Sequence, residues 1–259
     1  MSGNSGKAGV VIQERDRRLL SETTVMRIFD RELAKLVAGF GSNTRANTRL
    51  LKLTRAGLLN RFFVGTVGGG RKAIYTLSPK GGAVIGSEFR PISRRHGHTL
   101  VGDLFVAHQM QINGIYAALK FRPLPTGLRF VRWASAQRPI GGSPGLVPDG
   151  YFEIQTPAGI RAHFLEVDLG HQAMKVWERR VRAYLQLAVS GEFARIFRQQ
   201  RFRVLVATTS QRRLASIRVT IAKQTDKLFW LSDLPTINRD GLCAPIWLRP
   251  RGDQAVALF

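Results

Sequence analysis

The chain has 259 residues, 44% of them hydrophobic, with 40 Lys and Arg against 17 Asp and Glu and a formal net charge of +23. That apolar content suffices for two modest cores, and the charge selects a polyanion as partner, nucleic acid ahead of an anionic membrane surface. A single cysteine, Cys243, excludes an intramolecular disulfide and argues against cysteine-rich zinc fingers and a cysteine-based catalytic site. Residues 1–95 hold 18 basic and 6 acidic side chains, so the excess is not confined to one end. Apolar runs long enough to cross a bilayer and tandem repeats are both lacking. Met1–Gly9 has no apolar core of a secretory signal; a flexible tail over residues 1–9 and a cytoplasmic location are expected.

The first elements read as three helices and a hairpin. Gln13–Val25 is expected to be helical, and Asp30 to cap a second helix over Arg31–Phe40 that Gly39 and Gly41 help to end. Ser42 or Asn43 caps a third, running to about Ala56. In it Ala46, Leu50, Leu53 and Gly57 share one face, and Thr44, Arg45, Thr48, Arg49, Lys52 and Arg55 the other. Arg61–Val67 and Lys72–Leu77 read as strands joined by Gly68-Gly69-Gly70-Arg71. This order is that of a winged helix-turn-helix, expected over residues 10–90, with its third helix suited to the major groove. Arg45 and Arg49 are then candidates for guanine edges and Asn47 for adenine, with Thr48 on the same face. Lys52, Arg55, Arg71 and Lys72 are candidates for phosphate contacts. The glycine run is no phosphate loop, because it lacks a following Lys-Ser/Thr and lies between strands.

A short helix and a basic linker, Gly81–Arg95, lead into the second half, expected over residues 91–259. A long helix is predicted over Leu100–Leu119, then strands near Leu128–Ala134, Leu146–Ile154 and Arg161–Leu169. A helix over Gln172–Ser190 precedes a strand at Phe202–Thr208. Gln211–Gln224 reads as helical, and Lys227–Leu231 and Pro245–Leu248 as short strands. The core order α-β-β-β-α-β belongs to an α+β or α/β sheet with helices against it.

Three carboxylates stand out against the basic background. Asp149 follows Pro148 in one predicted strand, and Glu166 and Asp168 lie two apart in the next, so the latter pair shares a sheet face. Such oxygen donors suit Mg²⁺ or Mn²⁺ and phosphodiester chemistry. Asp103 is a further acidic candidate on the long helix; a solvated helix residue is the plainer reading. His96 and His98 can cap that helix or touch phosphate, and five scattered histidines make no metal motif. Phe130, Trp133, Phe164 and Trp177 read as core, and exposed aromatic pairs of a single-strand RNA binder are not evident.

This element order, with Pro148-Asp149 and Glu166-x-Asp168, resembles the PD-(D/E)xK nuclease-like superfamily. The chain from about residue 14 to 210 also resembles the replication-relaxation family of plasmids and other mobile elements. The matching segments are Arg15-Asp-Arg-Arg-Leu-Leu20, Arg49-Leu-Leu-Lys-Leu-Thr-Arg-Ala-Gly-Leu-Leu59, Tyr75-Thr-Leu-Ser78, Pro148-Asp149 and Phe164-Leu-Glu-Val-Asp168, with Lys175 and Tyr184 in the next helix. The resemblance implies binding of double-stranded DNA in replication, mobilisation or maintenance of an element. Candidate partners are a second copy of the chain and replication or mobilisation proteins. Where the nuclease pattern has Lys, this chain has Asp168. A migrated Lys175, with Arg179 beyond it, is one replacement and would accompany Mg²⁺ or Mn²⁺ held by Asp149, Glu166 and Asp168. The other outcome is a nuclease-like module without catalysis, in which Asp168 pairs with Arg179 or Arg182. The second is the expectation, and the first, a Mg²⁺-dependent endonuclease, is the alternative.

Overall fold

The computed structural model describes residues 10–66, 69–87, 102–135, 139–140 and 145–259. The expected tail 1–9, His96, His98 and part of the hairpin turn lie outside these residues. The protein is a mixed α+β chain with two sheets, and it divides into two compact units, Met1–Ala117 and Ala118–Phe259.

In the first unit, α1 spans Glu14–Met26 and is opened by a capping box between Gln13 and Asp16. Asp30 caps α2 (Arg31–Ala38) by accepting from the Leu33 amide, and Gly39 ends it in the left-handed region at φ 67°. Ser42 caps α3 (Asn43–Arg55), whose Ala46, Leu50 and Leu53 are buried. A three-stranded antiparallel sheet follows, in the order β1 (Ile28–Phe29), β3 (Arg71–Leu77), β2 (Leu59–Gly65). β1 escapes sequence reading because two residues carry no periodicity; pairing of Ile28 with Thr76 and Phe29 with Tyr75 creates it. The next helix is short, α4 (Pro79–Val84), with Pro in its first turn and Ser78 as cap. α5 (Asp103–Phe121) begins later than the predicted Leu100, and its residues through Ala117 belong to this unit. Its buried Asn113 donates to the carbonyls of Met26 (2.9 Å) and Ile28 (2.7 Å), on either side of Arg27, which has φ 64°. That amide satisfies two buried acceptors at a turn where the backbone has left α1 and has one strand pairing to make.

The second unit is a five-stranded sheet in the order β4 (Arg129–Ala134), β5 (Gly150–Thr156), β6 (Gly159–Asp168), β7 (Phe202–Thr208), β8 (Phe229–Asp233). The first three strands are antiparallel meanders, and β6, β7 and β8 are parallel. Parallel neighbours need crossovers, supplied by α6 (Met174–Val189) with α7 (Glu192–Phe197), and by α8 (Gln211–Ala222). Central β7 reads Phe-Arg-Val-Leu-Val-Ala-Thr, the apolar run of a strand buried on both faces. Val204, Val206, Phe164 and Leu231 on one face pack against Trp177, Val181 and Tyr184 of α6 and Leu214, Ile217 and Ile221 of α8. On the other face His163 is fully buried, its ring stacked 4.9 Å from Phe152 and edge-on to Phe259. Neither ring nitrogen makes a hydrogen bond of good geometry among the described residues, and although the Arg161 backbone favours the charged ring, burial outweighs it and pushes the imidazole pKa down to about 3.

Several boundaries differ from expectation for local reasons. The predicted strand over Leu146–Ile154 starts at Gly150, because Leu146 pairs instead with Ile140 in an isolated bridge. Gly150 is required there: a Cβ would fall 2.4 Å from the Trp133 ring. Pro245–Leu248 is reduced to single bridges, Leu231 with Leu248 and Trp247 with Val256. α7 and α9 (Leu234–Asp240) were not expected; α9 is capped by Asp233 and carries Pro in its first turn.

Candidate functional site

Two groups of residues carry chemistry, one in each unit. In the first unit, α3 presents Thr44, Arg45, Asn47, Thr48, Lys52 and Arg55 as exposed side chains. Cationic and amide groups converge there because the opposite side of the helix is spent on Ala46, Leu50 and Leu53. A hollow of about 470 Å³ separates α3 from the hairpin, with Asn47 on one wall and Phe63, Thr66, Arg71 and Tyr75 on the other. Phe63 is 37% exposed, with the guanidiniums of Arg61 and Arg71 each 5.2 Å from its ring centre. Lys72 is exposed yet bonded to the buried carboxylate of Asp30.

Arg49 stands apart from the set it was grouped with. Its Nε donates to Asp16 Oδ1 (2.9 Å), and its Nη2 donates to Asp16 Oδ2 and to the Val11 carbonyl (2.6 Å). Asp16 is fully buried, and its hydrogen bonds hold the Arg49 pKa above the ordinary value against the opposing effect of burial. The reason is angular: Arg49 lies about 60° from Ala46 on the helical wheel, at the margin of the apolar face, whereas Arg45 lies about 100° away. The bidentate pair ties α3 to α1 across 33 residues of sequence.

In the second unit, Glu166 and Asp168 lie on β6 as expected, Asp149 lies just before β5 and not within it, and each is engaged. Asp149 Oδ2 accepts from the Val167 amide (2.7 Å), and the Asp149 amide donates to the Leu165 carbonyl (3.1 Å). Glu166 is fully buried, with Arg180 Nη1 at 2.8 Å and the Tyr184 hydroxyl donating at 2.6 Å. Asp168 accepts from Arg213 Nε and Nη2 (both 2.8 Å), Trp177 Nε1 (2.7 Å) and the Gly170 amide (2.6 Å). Burial works to raise the Asp168 pKa, but the bonds from Arg213, Trp177 and Gly170 outweigh it and hold the pKa below the carboxylate norm. Burial, then the Glu166 charge, pushes the Tyr184 hydroxyl well above its usual value. For Arg180 the attraction of Glu166, Asp149 and nearby groups exceeds the cost of burial and raises its pKa.

Among the described residues no group of three or more His, Cys, Asp or Glu side chains is arranged to hold a metal ion. Arg180 and Tyr184 take the oxygens of Glu166, and Arg213 and Trp177 those of Asp168, so a divalent cation would have to displace them. Lys175 is exposed on α6 and makes no ion pair with any described residue. The ion pairing expected of Asp168 with Arg179 or Arg182 is corrected to Arg213, while Glu166 takes Arg180. Arg179 and Arg182 lie on the far side of α6 from buried Trp177, Val181 and Tyr184, whereas Arg180 flanks that apolar stripe. Arg180 among apolar neighbours was a readable signal; Arg213, 45 residues from Asp168, had none. Asp103 opens α5 as an exposed residue.

No curated protein and no solved structure matches the chain. The family model described as Replication-relaxation matches residues 15–198, which runs from α1 through the hairpin of the first unit and on through α7 of the second. With that match covering most of its length, the chain belongs to the replication-relaxation family.

Proposed function

We propose that this is a DNA-binding protein acting in replication, mobilisation or maintenance of a plasmid or other mobile element. In this reading the first unit is a winged helix-turn-helix that reads a duplex site. The second is a PD-(D/E)xK nuclease-like module that does not cut. The observation that carries the DNA reading is the exposed face of α3, which bears Arg45, Asn47, Thr48, Lys52 and Arg55, with Asn47 lining a hollow that Arg71 of the hairpin also lines. Such a helix has the residue types for base edges and the hairpin has the charge for backbone. Arg49 is assigned to holding α3 on α1, and Arg45 with Asn47 carries the base readout. Lys72 can reach phosphate only by sharing or leaving Asp30.

Arg45→Ala is expected to weaken binding to a selected duplex more than to random duplex, by about 1–3 kcal/mol of discrimination, in competition titrations at fixed salt. Equal losses on both duplexes would make Arg45 a phosphate contact. Unchanged binding by a folded variant would remove α3 from the interface.

The rival, a Mg²⁺-dependent endonuclease using Asp149, Glu166, Asp168 and Lys175, requires Arg180 and Arg213 to leave buried carboxylates. Purified protein is therefore expected to leave supercoiled plasmid intact in Mg²⁺ and in Mn²⁺. Nicking that appears with metal and stops in Glu166→Gln would establish the rival.

A further inference from the structure

α6 and α8 lie on one face of the second sheet and sort their cations by direction. Inward-facing Arg180 and Arg213 each meet a buried carboxylate. Outward, α6 exposes Lys175, Arg179 and Arg182, and α8 with its C-terminal cap exposes Arg212 and Lys223. None of these five side chains has an ion-pair or hydrogen-bond partner among the described residues. The three on α6 follow the i, i+4, i+7 spacing and fall within one narrow stripe. Glu178 is the only acid in α6, about 60° from the stripe's centre, and α8 has none. The two helices are joined where Gln224 Nε2 donates to the Glu178 carbonyl (3.2 Å), so their outer sides form one surface.

Like charges along one stripe repel one another, and Glu178, a single acid at its margin, offsets only part of that repulsion. Lys175 to Arg182 spans about 10 Å of helix axis. Duplex DNA presents one phosphate per strand about every 3.4 Å along its own axis, so two or three lie within reach of the stripe. We propose that the outer face of α6 and α8 is a second duplex-DNA contact that follows phosphates and reads no bases. It rests on the DNA-binding reading above and adds to it a sequence-independent surface away from the carboxylate strands. Lys175 then serves the backbone and has no part in hydrolysis.

The test uses the full chain and fluorescence anisotropy on selected and random duplexes across a salt series. Lys175→Ala with Arg179→Ala and Arg182→Ala is expected to lower affinity on both duplexes alike. The slope of log affinity against log salt should fall by about 0.9 for each phosphate no longer neutralised, up to about 2.7. Arg212→Ala with Lys223→Ala, on the neighbouring helix, should lower the slope in the same sense and gives a separate reading should the triple variant misfold. Slopes equal to that of wild type in both variants, with wild type binding DNA, would overturn this surface alone. Wild type that binds neither duplex would overturn the DNA-binding reading itself. Val189 and Val219 are also exposed on these helices, 79% and 60%. Loss of self-association by light scattering in the variants, with an unchanged salt slope, would make the face an interface between copies and overturn the proposal.

Discussion

Arg180→Ala is expected to destabilise the second unit by about 3–5 kcal/mol, because it strands a buried carboxylate without its counter-charge. Glu166 is 0% exposed, and the Tyr184 hydroxyl that also donates to it is neutral. Arg213→Ala should act in the same direction and less strongly, since Asp168 keeps Trp177 Nε1 and the Gly170 amide. The measurement is convenient: all four tryptophans, Trp133, Trp177, Trp230 and Trp247, belong to the second unit, so their fluorescence in urea follows that unit. Removing both charges, in Glu166→Gln with Arg180→Met, should recover much of the loss, because the desolvation cost of both ions goes with them. A shift below about 1 kcal/mol in Arg180→Ala would mean that water reaches Glu166 and that the pair behaves as a surface one. The same result would reopen the carboxylates to a cation.

Acid should destabilise the second unit through His163 as pH falls below the ordinary imidazole value. The ring is buried and neutral in the fold, with its pKa pushed down to about 3 by burial and then by the nearby Arg203 charge. In the unfolded chain it takes a proton near the ordinary value of about 6.5. The unfolded state therefore binds one more proton between these two values, and stability falls as pH falls. The slope approaches about 1.4 kcal/mol per pH unit once the unfolded ring is protonated, which integrates to about 2.3 kcal/mol between pH 6.5 and 4.5. Asp168 adds a second loss in the same direction at lower pH. Its folded pKa is depressed, so its contribution is complete above the unfolded carboxylate value of about 4 and disappears as pH drops through the folded one. His163→Phe keeps an aromatic ring between Phe152 and Phe259 and should remove the first slope while leaving the second. Urea midpoints at several pH values, read by tryptophan fluorescence, decide this. Parallel curves for wild type and variant would show that His163 finds a proton acceptor or water that satisfies it.

Periodicity and turn chemistry made much of this protein legible from its residues. The Asp30 and Ser42 caps lie where short polar side chains precede apolar periodic segments, and both accept the expected amide bond. Phe202–Thr208 is a strand with the predicted limits, since a run of apolar residues buried on both faces leaves little choice. The two-residue separation of Glu166 and Asp168 put them on one sheet face, and α6 and α8 are the elements that meet that face. α9 has a readable start in Asp233-Leu-Pro235, but its 7 residues are too few to display a helical period.

What local pattern could not decide was who pairs with whom. Helical spacing puts Arg49 at the edge of an apolar stripe, but only the approach of α1 brings buried Asp16 to its guanidinium. Asp168 has basic residues nearby in sequence, Lys175 and Arg179 among them, yet its partner is Arg213. Parallel pairing of β6 with β7 carries the chain across the sheet and returns it through α8 over the same carboxylate end. Charge and period are properties of neighbours along the chain, so the sequence by itself determined a basic, mixed α+β protein with an amphipathic cationic third helix. Burial and ion pairing depend on residues that the crossovers bring together, so tertiary structure alone decided that Arg180 holds Glu166 and Arg213 holds Asp168.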